Sequence, residues 1–262
     1  MRSLNLLLKK KAEQRKIIAL TAYDFHTADW LSECPLDFIL VGDSVANVIA
    51  GHSSTLPVTM EEMLYHTRMT VRGARDIPVI ADMPFLSYEI DPLEAVRNAG
   101  RFIKDAGAAA VKVEGGSQII PAVRKMIAAH IPVLGHVGLT PQSILQFGGY
   151  IVQGKTAESA EKIKAEALAL QEAGVFGIVL ECIPRSLAAS ITGLLAIPTI
   201  GIGAGPDCDG QILVIHDLLG WDPHPKKFVK PYAAFRADAQ TAVRAFAADV
   251  SAGRFPDDDH SF

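Results

Sequence analysis

Six residues could do chemistry by type and position: Asp43, Asp82, Lys112, Glu114, His136 and Glu181. Each lies at or near the C-terminal end of a short apolar run, in "LVGDS", "VIADMP", "AVKVEGG", "VLGHVG" and "IVLEC". In "AAVKVEGG", Lys112 and Glu114 are two residues apart. Side chains at i and i+2 share one face of a strand, so this cation and this carboxylate point the same way. Val111 and Val113 point the other way.

If the runs converge, Asp43, Asp82, Glu114 and Glu181 meet at one mouth with one lysine and one histidine. Carboxylates cannot crowd together as anions without compensation. A hard divalent cation such as Mg²⁺ would supply it, taking oxygen from one or two carboxylates, water and substrate. Lys112 would then serve an anionic substrate. Glu181 stands between apolar residues, where burial would raise its pKa toward the range of a general base. Other positions stay open. Asp24 is either a strand-end cap or part of the mouth. His136 is either a core histidine or a catalytic one. "GIGAG", Gly201–Gly205, is a tight turn or a phosphate cradle, and the turn is favoured because no basic residue follows closely.

The elements that position these residues follow from hydrophobic runs. Strands are expected over Ile17–Asp24, Phe38–Asp43, Pro78–Phe85, Ala109–Gly115, Val133–Thr140, Gly177–Cys182, Pro198–Ala204 and Gln211–Leu219. Most are continuously apolar, as strands covered on both faces are. Helical patterns lie between them. Thr59-Met60-Glu61-Glu62 reads as a capping box, and Asp91-Pro92 as a helix start. Ser117–Ala129, Thr156–Ala173 and Pro184–Leu195 read as further helices, with terminal helices over about residues 3–15 and 231–250. Phe235, Val243, Phe246 and Val250 share one face of the last.

Strands alternating with helices predict a single-domain (β/α)8 TIM barrel, residues 1–262. A doubly wound sheet would gather its polar residues at one switch point, and here they end many strands. The long connections Asp43–Pro78 and Thr140–Gly177 should carry extra loop on the functional face. The tail Pro256–Phe262 should fray.

Composition excludes several classes. The 262 residues are 49% hydrophobic with a formal charge of −4, which suits a large core and gives no polyanion-binding surface. The run Lys9-Lys10-Lys11 reads as a solvated helix face, not a nucleic-acid patch. Cys34, Cys182 and Cys208 are too scattered for a zinc site or a disulfide framework. Leu4–Leu8 is too short for a secretion signal, and no apolar stretch could span a membrane. A cytoplasmic protein is expected.

Several long motifs resemble one family: "LTAYDFHTADW", "VGDSVANVIAGHSSTLPVTMEEMLYHT", "VKVEGG", "GHVGLTPQS", "VLECIP" and "IGIGAGPDCDGQILVIHDLLG". In collinear order from about Leu4 to Pro231 they resemble the ketopantoate (3-methyl-2-oxobutanoate) hydroxymethyltransferases. One departure is Ser53 in "GHSSTLP", where the family often has Asp; it lies outside the ligand motifs. The resemblance implies Mg²⁺ held by Asp43, Asp82 and Glu114, a keto acid held by Asp43, Ser44, Asp82 and Lys112, and Glu181 as the base. It further implies 5,10-methylenetetrahydrofolate as co-substrate and a homo-oligomer, a decamer of two pentameric rings. Two other readings stay open on the residues alone: a folate-independent Mg²⁺-dependent 2-oxo-acid aldolase or lyase, and a barrel that only binds.

Overall fold

A computed structural model describes residues 3–262. The chain packs as two compact units, one ending at Val214 and one spanning Ile215–Phe262. The first is a closed barrel of eight parallel strands in sequential order.

Its elements run α1 Asn5–Ala12, β1 Ile17–Thr21, α2 Phe25–Leu31, β2 Phe38–Val41, α3 Val45–Val48, α4 Met60–Gly73 and β3 Val79–Asp82. Then follow α5 Pro92–Lys104, β4 Ala110–Glu114, α6 Ile120–Ala128, β5 Val133–Gly138, α7 Ile144–Phe147 and α8 Ala157–Ala173. The barrel closes through β6 Gly177–Glu181, α9 Arg185–Leu194, β7 Thr199–Ile202 and β8 Gly210–Leu213. Local chemistry explains the helix starts. Thr59 and Glu62 form the reciprocal capping box before α4, and Asp91 caps α5 with Pro92 at its first position.

The barrel interior is filled from its lower end. Phe38, Ile80, Ala110, Leu134, Val179, Ile200 and Ile212 form one apolar cluster with Ile17 and Ala19, and Leu7 of α1 packs into it. Period-2 alternation then dictates what lies above. Two residues beyond Ile80 is Asp82, beyond Ala110 is Lys112, beyond Leu134 is His136, and beyond Val179 is Glu181. The polar row is the next storey of the same inward face.

Three expectations need correction. The eighth run does not stay extended: β8 ends at Leu213, and Ile215–Leu219 is a short helix, α10. Periodicity alone cannot separate a short apolar strand from a short helix. The lysine run is not a uniformly solvated face. Lys10 pairs with Asp37 at 2.6 Å and Lys11 with Asp209 at 2.7 Å, tying α1 to the strand starts, while Lys9 stays in solvent. Strands also stop earlier than their apolar runs, so Asp24 and Asp43 lie in the loops just beyond β1 and β2.

The second unit holds α10 and α11, Phe235–Ser251, with Trp221 stacked on Phe235 at 4.5 Å. No residue of α11 is buried. Asp258–His260 near the tail forms a single tight turn. Among the described residues no helix is long and apolar enough to cross a membrane.

Candidate active site

Register places the site residues side by side. In the parallel ladder Asp82 pairs with Lys112, Glu114 with His136, and Gly138 with Glu181. Neighbours in register project from the same face, so a row of charge crosses four adjacent strands. Gly138 is required here: its φ is +97°, and a Cβ would run into the Glu181 carbonyl.

All six candidate residues meet. Lys112 Nζ lies 2.6 Å from Asp82 Oδ1 and 3.3 Å from Glu114 Oε1. His136 Nδ1 is 3.1 Å from Glu114 Oε1, and its Nε2 is 3.3 Å from Glu181 Oε2. The Asp43 backbone N–H donates to Asp82 Oδ2 at 3.0 Å, bringing the loop after β2 onto β3. Ser44 sits beside Asp43, and its hydroxyl meets Tyr23 Oη at 2.8 Å. Asp43, Asp82, Lys112, Glu114 and His136 are each at most 5% exposed. The Glu181 side chain keeps 15% of its surface, so the base candidate is more open than its apolar flanks suggest.

Asp24 does not join them. Its carboxylate accepts from the Thr27 backbone N–H at 2.8 Å and caps α2. The Gly201–Gly205 turn is held by Gln211, whose amide donates to Gly205 O at 2.9 Å.

Burial and mutual repulsion set the charges. Burial pushes the Asp43 carboxyl up to about 8, with Glu114 and Asp82 adding to it. Burial likewise raises Asp82, against the pull of Lys112. Glu114 goes the other way: burial opposes its charge, but Lys112 and His136 bring it down to about 2. Burial and Lys112 both disfavour protonated His136, yet Glu114 and Glu181 hold its pKa up at about 9. Burial also works against charged Lys112, and the surrounding Asp82, Glu114 and Asp43 keep it protonated.

This donor set fits a hard cation. Three buried carboxylates, Asp43, Asp82 and Glu114, face Lys112 and His136, and oxygen donors in that excess suit a hard cation. The carboxylates are not drawn into a closed cage. Among the described residues no group of three or more His, Cys, Asp or Glu side chains is arranged to hold a metal ion, and Lys112 stands between Asp82 and Glu114. A magnesium ion does not need a cage, since it usually keeps several waters and one or two carboxylates.

Two residues of this site carry no obvious signal in the sequence. Gln142 and Tyr88 are buried and hydrogen bonded to Asp43, Glu114 and each other. Gln142 lies within "GLTPQS", where Pro141 after a strand end marks an ordered turn. Tyr88 sits in a loop whose local sequence gives no hint.

A closed parallel (β/α)8 barrel with acid–base side chains on its C-terminal strand ends is the arrangement in which barrel enzymes carry their active sites. The fold is shared with phosphonopyruvate hydrolase, at a TM-score of 0.66 and 14% identity, covering 100% of this chain and 92% of that one. It is shared too with 2,3-dimethylmalate lyase, of the PEP mutase/isocitrate lyase superfamily, at a TM-score of 0.61 and 18% identity, covering 100% and 93%. A sequence model of the ketopantoate hydroxymethyltransferases matches residues 2–258. The 3-methyl-2-oxobutanoate hydroxymethyltransferase of Syntrophus aciditrophicus (strain SB) is 53% identical over 97% of this chain and 93% of its own length. The enzyme of that name from Geotalea uraniireducens (strain Rf4) is 52% identical over 98% and 96%. The chain belongs to the ketopantoate hydroxymethyltransferase family.

Proposed function

We propose that the chain transfers a hydroxymethyl group from 5,10-methylenetetrahydrofolate to 3-methyl-2-oxobutanoate, giving 2-dehydropantoate and tetrahydrofolate for pantothenate and coenzyme A synthesis. The observation that carries this reading is the inward row Asp82–Lys112–Glu114–His136–Glu181, which sets a partly open carboxylate beside an acidic pocket holding one lysine. Family membership favours it over a folate-free aldolase or lyase.

Asp43, Asp82 and Glu114 would hold Mg²⁺, which when bound supplies a Lewis acid for the keto oxygen. Asp43, Ser44, Asp82 and Lys112 line the keto acid, and Lys112 neutralises its carboxylate. Glu181 takes the C3 proton, its carboxylate oriented by His136 Nε2 at 3.3 Å. The C3 carbanion so formed bonds to the one-carbon unit, whose two C–N bonds to folate break as the nitrogens regain their protons, and water supplies the hydroxyl oxygen of the product. The setting is the cytoplasm, and the working form is a homo-oligomer, a decamer, with small-molecule partners only.

The test is product identity. With 3-methyl-2-oxobutanoate, Mg²⁺ and methylenetetrahydrofolate together, 2-dehydropantoate should form, and omission of the folate should abolish it. Turnover without folate would favour the aldolase reading, and no turnover at all would favour a binding barrel.

A further inference from the structure

Gln142 and Tyr88 do nothing in the reaction above, yet they hold two of its carboxylates from behind. Gln142 stands in the turn after β5 and Tyr88 in the connection from β3 to α5; they are 6% and 2% exposed. A glutamine amide has two donor hydrogens on nitrogen and an acceptor oxygen. Gln142 Nε2 lies 3.0 Å from Asp43 Oδ2 and 3.0 Å from Met83 O. Met83 O can only accept, so the amide has one orientation, with Oε1 toward the Tyr88 hydroxyl at 2.8 Å. Gln142 Oε1 can only accept, so the Tyr88 hydroxyl donates to it, with Glu114 O a second, longer acceptor at 3.1 Å, while the hydroxyl oxygen accepts the Glu114 backbone N–H at 3.0 Å. The Gln142 backbone N–H donates to Glu114 Oε2 at 3.0 Å.

One residue therefore grips carboxylates from two different strand ends, and a tyrosine fixes its amide. Asp43 Oδ2 and Glu114 Oε2 are engaged, while Glu114 Oε1 faces Lys112 and His136. A buried network whose members are all satisfied rigidifies what it touches. The groups next to metal-binding carboxylates decide how they are presented.

We propose that Gln142, locked by Tyr88, is a positioning residue that presets Asp43 and Glu114 for a divalent cation. This rests on the reading of Asp43, Asp82 and Glu114 as the metal-holding set. Gln142→Met keeps length and removes the amide; Tyr88→Phe removes only the hydroxyl. Titration calorimetry of Mg²⁺ into the full-length chain without substrate should show Kd raised about 10- to 100-fold in Gln142→Met, the usual cost of losing such a partner. Tyr88→Phe should weaken binding too, and the double variant should be no worse than the worse single, because the two act as one unit. The Mg²⁺ concentration for half-maximal activity should rise, with kcat recovering at saturating metal. Circular dichroism checks folding, and if Gln142→Met does not fold, Tyr88→Phe decides by the same titration. Variants that bind Mg²⁺ with the wild-type Kd, or losses that simply add, would overturn the inference and leave the metal reading standing. A wild-type chain that binds no Mg²⁺ would overturn both.

Discussion

His136 bridges two carboxylates from different strands, with Nδ1 3.1 Å from Glu114 Oε1 and Nε2 3.3 Å from Glu181 Oε2. One imidazole thus joins the acidic pocket to the proposed base. A core histidine with a single backbone hydrogen bond does not fit these contacts.

The base can be tested without folate. Glu181→Gln keeps the shape and a contact for His136 but cannot take a proton. In deuterated solvent with Mg²⁺, wild type should exchange the C3 proton of 3-methyl-2-oxobutanoate. The variant should lose about 10²–10⁴-fold of that rate, the usual worth of general-base catalysis. Keto-acid binding should stay near wild type, since it rests on other groups. Proton NMR reads the exchange, and a wild-type rate in Glu181→Gln would remove the role of base from Glu181.

Acid–base linkage gives a stability prediction for the metal-free chain. His136 rises from 6.5 to about 9 on folding, and Asp43 from 3.8 to about 8. Both groups hold a proton more tightly when folded. Such stabilisation is complete below the unfolded pKa and is lost as pH rises through the folded one. The His136 window is therefore pH 6.5–9 and the Asp43 window pH 3.8–8, overlapping from 6.5 to 8. Within the overlap each proton contributes about 1.4 kcal/mol per pH unit, so stability should fall as pH rises. Denaturant melts at several pH values measure it. A stability that rises from pH 6.5 to 8 contradicts the charge state derived for the site.

What could be read from the sequence was what depends on period. Runs such as "VIAD" and "AVKVE" announce both a covered strand and which residues share its face, so the barrel and Asp82, Lys112, Glu114, His136 and Glu181 followed directly. What depends on reach across the chain could not. Gln142 meets Asp43 over 99 positions, and Tyr88 meets Gln142 over 54, with no local pattern to mark either. The last apolar run failed for a third reason: "VIHDLLG" continues the hydrophobic run of β8, and so short a stretch reads alike as strand or helix.

Lys112 should be structural as well as substrate-binding. It is 4% exposed and stands between Asp82 and Glu114. Lys112→Met would leave buried carboxylates without their cation, and breaking such a pair costs about 3–5 kcal/mol. Their folded pKa values would then rise, so the deficit should shrink as pH is lowered and when Mg²⁺ is added. Urea melts across pH with and without Mg²⁺ report this. A deficit that is independent of both would mean the lysine's charge is not what the carboxylates need.

The segment from Gln142 to Lys155 should close over the site. It begins at the buried Gln142, and α7 ends at Gly148 with φ +71°, followed by Gly149 at +142°. Neither glycine would meet a neighbour through an added Cβ, so Gly149→Ala acts through backbone strain rather than a clash. Tyr150, half-exposed just beyond, has its hydroxyl pKa raised by burial and then by Asp43, Glu181 and Glu114. Amide exchange over this segment should slow when keto acid and Mg²⁺ bind, and Gly149→Ala should reduce kcat by slowing closure. Unchanged exchange on binding would remove the lid.

The last helix predicts assembly. In α11, Phe235, Val243, Phe246 and Val250 are 40%, 66%, 56% and 48% exposed. Their spacing puts them within one face of the helix, as the sequence pattern required. Apolar residues gathered on one face and left to water mark an interaction surface more often than scattered ones do. In a homo-oligomer that face would be covered by a second copy of the chain. Sedimentation should then give a mass well above the 28.1 kDa of one chain, with ten copies for the proposed decamer. Phe246→Glu and Val243→Glu should each lower the mass while leaving the circular dichroism unchanged, because both side chains are more than half exposed, with Phe246 meeting only the edge of Phe255 among aromatic rings. A wild-type monomer at micromolar concentration would end the oligomer reading. An oligomer indifferent to both charges would place the interface on another face.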